Sequence, residues 1–154
     1  MVSRCELRAV GVRERIVVER ILGGSGVATY DDHDPDVTDV IAVGLGRILG
    51  SAQLVRVCEP PREGYWIYGL YVFPAWRRCG LGRRLVAHLV SLAAGRGAGS
   101  VLLSVAEDNR AAVGLYESAG FRPYEPTGGL GEWLAATSDA LGGRQLMMRR
   151  TIRA

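Results

Sequence analysis

Arg77-Arg78-Cys79-Gly80-Leu81-Gly82-Arg83-Arg84 is the stretch on which the reading of this chain turns. Before it runs Tyr65–Phe73 (YWIYGLYVF), aromatic and β-branched and stopped by Pro74, which predicts a central strand. After it, Leu81, Leu85, Val86, Leu89, Val90 and Ala93 recur at helical spacing and predict a helix over 80–94. Glycines between a strand and a helix let the backbone approach a ligand. The helix N-terminus adds unpaired N–H groups and a partial positive charge, which phosphate oxygens suit. A P-loop is excluded, because GxxxxGK[ST] needs a lysine and the chain has none. A dinucleotide fingerprint is excluded too, because Leu85 stands where the third glycine belongs. Two readings stay open on these residues alone: a pyrophosphate site in another framework, or a plain βα turn with surface arginines.

Outward from this stretch, Gly69 interrupts the strand and marks a bulge or a close backbone approach. Val101–Val105 reads as a buried strand. Asn109 is a helix N-cap, followed by Ala112, Leu115, Tyr116 and Ala119 on one face, with Gly120 as the stop. Phe121–Tyr124 starts a strand, residues 127–143 form a glycine-rich loop that carries Trp133, and 145–152 is a last strand. Toward the N-terminus, residues 4–10 are a short strand and Val12–Leu22 an amphipathic helix. Residues 23–36 are an acidic loop. Val37–Val43 and Ile48–Val57 form a hairpin turned by Gly44-Leu45-Gly46-Arg47. Antiparallel hairpins mixed with helical crossovers imply an α/β fold with one mixed sheet of six to seven strands, in a single domain over 1–154.

Composition narrows the function classes. Nearly half the residues are hydrophobic and 23% are charged, which fits a packed core and not a disordered chain. All 19 basic residues are arginine, so a lysine nucleophile or Schiff base is excluded. Cys5, Cys58 and Cys79 are scattered without CxxC spacing, and two histidines add no cluster, so no metal site is expected. A net charge of +3 without aromatic interleaving does not point to nucleic acid. No apolar run reaches bilayer length and the first residues lack a secretory pattern, so no membrane partner and a cytoplasmic setting are the expectation.

Leu70-Tyr71-Val72-Phe73-Pro74-x-x-Arg77-x-x-Gly80-x-Gly82 resembles the coenzyme-binding motif of the GNAT acyltransferases, [Q/R]-x-x-G-x-[G/A] after a strand. Asn109-x-x-Ala112-x-x-Leu115-Tyr116-x-x-x-Gly120-Phe121 resembles the family's second motif, in the right order and on the expected elements. The resemblance covers about residues 64–124. It implies the GNAT fold, acetyl-CoA as acyl donor, no metal, and acetyl transfer to a primary amine of a small molecule or peptide by direct attack in a ternary complex. It further implies that amides from Arg77, Arg78, Cys79, Gly80, Leu81, Gly82 and Arg83 hold the pyrophosphate. Backbone groups of Leu70, Tyr71 and Val72 would meet the pantetheine arm and polarise the thioester. Asn109 and Ala112 would contact that arm, and Tyr116 would protonate the leaving thiolate.

The pattern is incomplete in three places. No carboxylate stands in Trp66-Ile67-Tyr68-Gly69, where the family often has a glutamate. Glu107, beside Asp108 at the end of the next strand, is the candidate for the amine's proton, and Tyr68 a candidate for a water relay. The cluster Asp31-Asp32-His33-Asp34-Pro35-Asp36 offers attraction for a cationic acceptor. It begins like a calcium loop but has Val37 and Val43 where Gly and Glu are required. The N-terminal region is short for the family, with one helix where two are usual, so the acceptor wall is open or completed by a partner subunit; a homodimer is the family's habit. The alternative function is a coenzyme-binding sensor or interaction module without catalysis.

Overall fold

The computed structural model describes residues 5–10 and 36–152. The expected helix over Val12–Leu22 and the acidic loop through Asp34 lie outside these residues. One seven-stranded sheet runs in the order β1-β2-β3-β4-β5-β7-β6. Its strands are β1 (Glu6–Ala9), β2 (Val37–Gly44), β3 (Arg47–Val57), β4 (Gly64–Val72), β5 (Ser100–Ala106), β6 (Arg122–Pro123) and β7 (Gln145–Thr151). Three helices complete the described chain: α1 (Leu81–Gly95), α2 (Arg110–Ser118) and α3 (Gly128–Leu141). All neighbouring strands are antiparallel except β4 and β5. The β2–β3 hairpin turns through Leu45 and Gly46, both at positive φ (53° and 71°), the pattern whose twist matches the flanking strands.

Side-chain periodicity explains how the layers form. The six apolar residues of α1 are buried against Val40, Ala52, Leu54, Ile67, Val101 and Leu103 on one face of the sheet. Each of the three leucines and two valines among them is worth about 1.5–3 kcal/mol of burial, so the helix is anchored by its stripe and not by its propensity. The opposite face presents Val55, Trp66, Leu102 and Met147, and α3 covers it with Leu130, Trp133 and Leu134.

Helix α3 corrects the expected loop over 127–143. Two of its glycines are positions of close approach. A Cβ on Gly129 would lie 3.0 Å from Pro61, and one on Gly131 2.9 Å from the Pro126 carbonyl oxygen. Leu130, Trp133 and Leu134 recur at i, i+3 and i+4, and their burial offsets the roughly 1 kcal/mol that each glycine costs a helix. The strand expected over Phe121–Tyr124 is only Arg122–Pro123, and Phe121 is instead fully buried in the core.

Candidate active site

The parallel pairing of β4 with β5 stops after two positions, Tyr65↔Val101 and Trp66↔Leu102, although both strands continue. Beyond Trp66 they diverge and leave a cleft between two edges of backbone polar groups. The cause lies partly in β4. Its pairing with β3 steps from Ser51↔Tyr71 to Gln53↔Tyr68, so three residues of β4 span two of β3. Gly69, at φ 60°, takes up the extra residue in a conformation that side chains resist. The bulge expected at Gly69 is therefore present.

The bulge also decides which groups face the cleft. The Phe73 N–H donates to the Leu49 carbonyl at 3.0 Å, so alternation turns the backbone groups of Leu70 and Val72 away from β3 and into the cleft. Tyr71 points its backbone toward β3, where it pairs with Ser51, and its ring packs against Phe73. The Val72 carbonyl has a partner within the chain: Arg77 Nε donates to it at 2.8 Å. On the cleft side this leaves the Val72 N–H and both polar groups of Leu70.

A single 3-10 turn, Pro74–Trp76, carries the chain from β4 to the start of α1. Arg77 and Arg78 follow, the latter at φ 62°, and Gly80 at φ 80° is the N-cap. No side chain caps this helix. Its first intrahelical bond from this end runs from the Arg84 N–H to the Gly80 carbonyl, so the amides of Leu81, Gly82 and Arg83 precede any acceptor in the helix. The four arginines divide. Arg77 is bonded to Val72 and stacked 5.5 Å from the Tyr71 ring, and Arg84 donates to the Cys5 carbonyl at 3.0 Å. Arg78 and Arg83 are exposed beside the open helix end. The Cys79 thiol is exposed and donates to the Arg77 carbonyl, with no base beside it in that contact. Gly82 sits where α1, α2 and β4 converge: a Cβ there would lie 3.2 Å from Leu115 and 3.8 Å from Val72.

Helix α2 closes the other side. Asn109 caps it, its Oδ1 accepting from the Ala112 N–H at 3.2 Å, as the sequence predicts. Tyr116 is buried, 6.0 Å from the Phe121 ring at a steep angle. Burial alone pushes its phenol up to about 12, so it holds its proton through the whole physiological range. Glu107 is half exposed and forms an ion pair with Arg144 Nε at 3.1 Å. With Asp108, Arg110, Val113, Gly143 and Arg144 it lines an open cavity of about 570 Å³.

Two side-chain groups are not apparent from the sequence. On the α3 face, the Arg62 guanidinium lies 4.7 Å from the Trp66 ring and 4.3 Å from that of Trp133, and Arg62 Nη2 donates to the Tyr68 hydroxyl. Trp133 is thereby a packing residue, edge-on to Trp66 at 5.4 Å. On the same face, buried Gln53 donates to buried Asp39 at 3.0 Å, and these two are cross-strand partners. The alternation Trp66-x-Tyr68 is the available signal for the first group, but what stacks on it comes from positions 62 and 133 and has none. Among the described residues, no group of three or more His, Cys, Asp or Glu is placed to hold a metal, and no helix is long and apolar enough to cross a membrane.

The model of the acetyltransferase (GNAT) family matches residues 16–121. The N-alpha-acetyltransferase RimI of Mycobacterium tuberculosis is 39% identical over 77 residues, which are 50% of this chain and 47% of that protein. The chain thus spans about half the length of that relative. The crystal structure of the ribosomal-protein-S18-alanine N-acetyltransferase from Escherichia coli superposes with a TM-score of 0.70 at 20% identity, over 97% of this chain and 95% of that one. A structure from Bacillus anthracis described as a streptothricin acetyltransferase, solved with acetyl coenzyme A, gives 0.61 at 21% identity over 79% of this chain and 65% of its own. These two likenesses concern the fold. With a family match that runs from before the hairpin to the end of the second motif, the chain belongs to the GNAT acetyltransferase family.

Proposed function

We propose that the protein transfers an acetyl group from acetyl-CoA to a primary amine. The observation that carries this reading is the splayed β4–β5 cleft leading to an uncapped helix N-terminus. A pantetheine arm carries amides that match the free backbone edge of Leu70 and Val72. A pyrophosphate matches the amides of Leu81, Gly82 and Arg83, with Arg78 and Arg83 supplying charge. Arg77, Cys79 and Gly80 give the loop its shape, and Asn109 and Ala112 flank the arm at the start of α2. Tyr116 then protonates the departing thiolate. A phenol that stays neutral at working pH is suited to that task.

The acceptor we propose first is the α-amino group of a peptide that begins with alanine. The name of the M. tuberculosis relative supports an α-amino group, and that of the E. coli relative supports alanine. The test is calorimetric titration with acetyl-CoA, followed by mass-spectrometric assay of an alanine-initiated tetrapeptide. Saturable binding and a product heavier by one acetyl group are expected. Binding without transfer to any amine would favour the sensor reading, and no binding by the folded protein would end the proposal.

A further inference from the structure

An amine must shed a proton as it forms the C–N bond, and β4 offers no carboxylate to take it. Glu107, the carboxylate at the end of β5, is paired with Arg144. Among the described residues, Tyr68 of β4 and Ser104 of β5 are polar positions on the α3 face beyond the last paired residues. Extending the register Trp66↔Leu102 by two residues sets them opposite each other, where the strands no longer pair. Tyr68 also directly precedes the bulge at Gly69, beside the backbone edge assigned to the pantetheine arm.

The phenol of Tyr68 is held by a fixed cation. Arg62 donates to its oxygen, and the Arg62 guanidinium in turn lies against the rings of both Trp66 and Trp133. The Trp66 Nε1–H donates to the Arg62 carbonyl at 2.8 Å and pins that loop from below. A guanidinium that cannot lose its own proton, donating to a phenol oxygen, favours the deprotonated oxygen. The other described groups on this face act more weakly. Asp39 on β2 opposes ionisation, but it is two strands away, about 10 Å at ~4.8 Å per strand, and its contact is with Gln53. Arg149 on β7 is stacked over Tyr124 at 4.1 Å. The residues α3 packs here are Leu130, Trp133 and Leu134, which carry no charge.

We propose that Tyr68, with its hydroxyl held by Arg62, takes the proton from the acceptor amine during acetyl transfer. This rests on the acetyl-transfer reading above. The lone pair of the neutral amine forms the C–N bond, and the C–S pair leaves with sulfur. The surplus proton on nitrogen goes to the Tyr68 phenolate oxygen, and the thiolate receives the Tyr116 proton. A proton passed through water from Tyr68 to Tyr116 resets both. The two tyrosines are set apart by their surroundings: Tyr116 sits among apolar residues, and Tyr68 beside a cation. Tyr68 is then a catalytic residue and Arg62 a positioning residue.

The test is the pH profile of kcat/KM for acetylation of the alanine-initiated tetrapeptide, in wild type, Tyr68→Phe, Arg62→Gln, Arg62→Lys and Glu107→Gln. Tyr68→Phe is expected to lower kcat about 10²–10³-fold with an unchanged KM for acetyl-CoA. Arg62→Gln should move the rising limb to higher pH, Arg62→Lys should restore part of it, and Glu107→Gln should leave it in place. A Tyr68→Phe enzyme that keeps more than a third of the rate, or loses rate with an unaltered pH profile, overturns the proposal. A second measurement needs no turnover: NMR of the protein labelled at tyrosine Cζ, with Tyr68 assigned through Tyr68→Phe. Tyr68 is expected to titrate at lower pH than the other tyrosines and to move up in Arg62→Gln. Titration together with them, or after them, overturns the proposal. If the peptide is not acetylated, the proposed acceptor fails while the NMR titration still decides the role of Tyr68.

Discussion

The two helices that flank the cleft begin in opposite ways. Helix α2 is closed by its own chain, because Asn109 gives an oxygen to the Ala112 N–H. Helix α1 begins at a glycine with no side chain to spare, and its first amides face outward between Arg78 and Arg83. Both ends carry the same unpaired N–H groups and the same partial positive charge. A helix end that caps itself serves stability. One that does not leaves its anion-binding groups open, here beside the exposed Arg78 and Arg83, which is what the proposed pyrophosphate site requires.

Four variants break or sharpen this contrast. The largest effect is expected from reversing the charge at α1. Arg78→Glu with Arg83→Glu should weaken acetyl-CoA binding about 10²–10⁴-fold, as two charge-assisted contacts of about 1.5–3 kcal/mol each are lost. Calorimetry measures it, and an unchanged melting temperature shows that the exposed residues served the ligand and not the fold. Next is Tyr116 on α2. Its folded pKa of about 12 lies above its unfolded value of 10.0, so the stability it contributes is complete below pH 10 and is lost as pH rises through 12. Two units correspond to about 3 kcal/mol. Denaturation at pH 9 and pH 12 should show a fall of that order that Tyr116→Phe lacks, alongside a kcat lowered by one to two orders of magnitude with the KM for acetyl-CoA retained.

A smaller change tests whether α1 can be made to resemble α2. A side chain at Gly80 would meet open space, so Gly80→Asp places a carboxylate beside the free amides without a clash. Acetyl-CoA affinity should drop about tenfold through competition and repulsion, while the positive φ costs about 1 kcal/mol of stability. The smallest effect is expected at α2, where Asn109→Ala removes the cap and should cost about 1 kcal/mol in chemical denaturation. If Asn109→Ala weakened the coenzyme more than Gly80→Asp did, the two ends would have exchanged roles and the contrast would fail.

Much of the fold is legible in the amino-acid order alone. The strand-loop-helix around Arg77–Arg84, the stripe of α1, the cap at Asn109 and the bulge at Gly69 all follow from local rules, and each stands where the sequence predicts. Helix α3 is not legible in this way, because glycine reads as a chain breaker. Here Gly129 is held to glycine by its closeness to Pro61, which is information from another part of the chain, and Gly131 by the Pro126 carbonyl just ahead of the helix. The site divides in the same way. Gly80, Gly82, Asn109 and Tyr116 are picked out by the resemblance to the family's two motifs, but the loss of Arg77 and Arg84 to bonds with Val72 and Cys5 is not visible in the sequence.

By itself, then, the sequence determined most of the elements, because helix periodicity, capping and turn chemistry act between residues a few positions apart, and its two motifs carry the resemblance to the family. Only the tertiary structure decided where β4 and β5 part, which arginines stay at the surface, and that Arg62 would lie against both Trp66 and Trp133 and the hydroxyl of Tyr68. The decisive contacts, Arg62 with Trp133 and Arg84 with Cys5, join residues far apart in the chain. Local preference has no term for them, and they exist only once the sheet has set its register and the helices have covered its two faces.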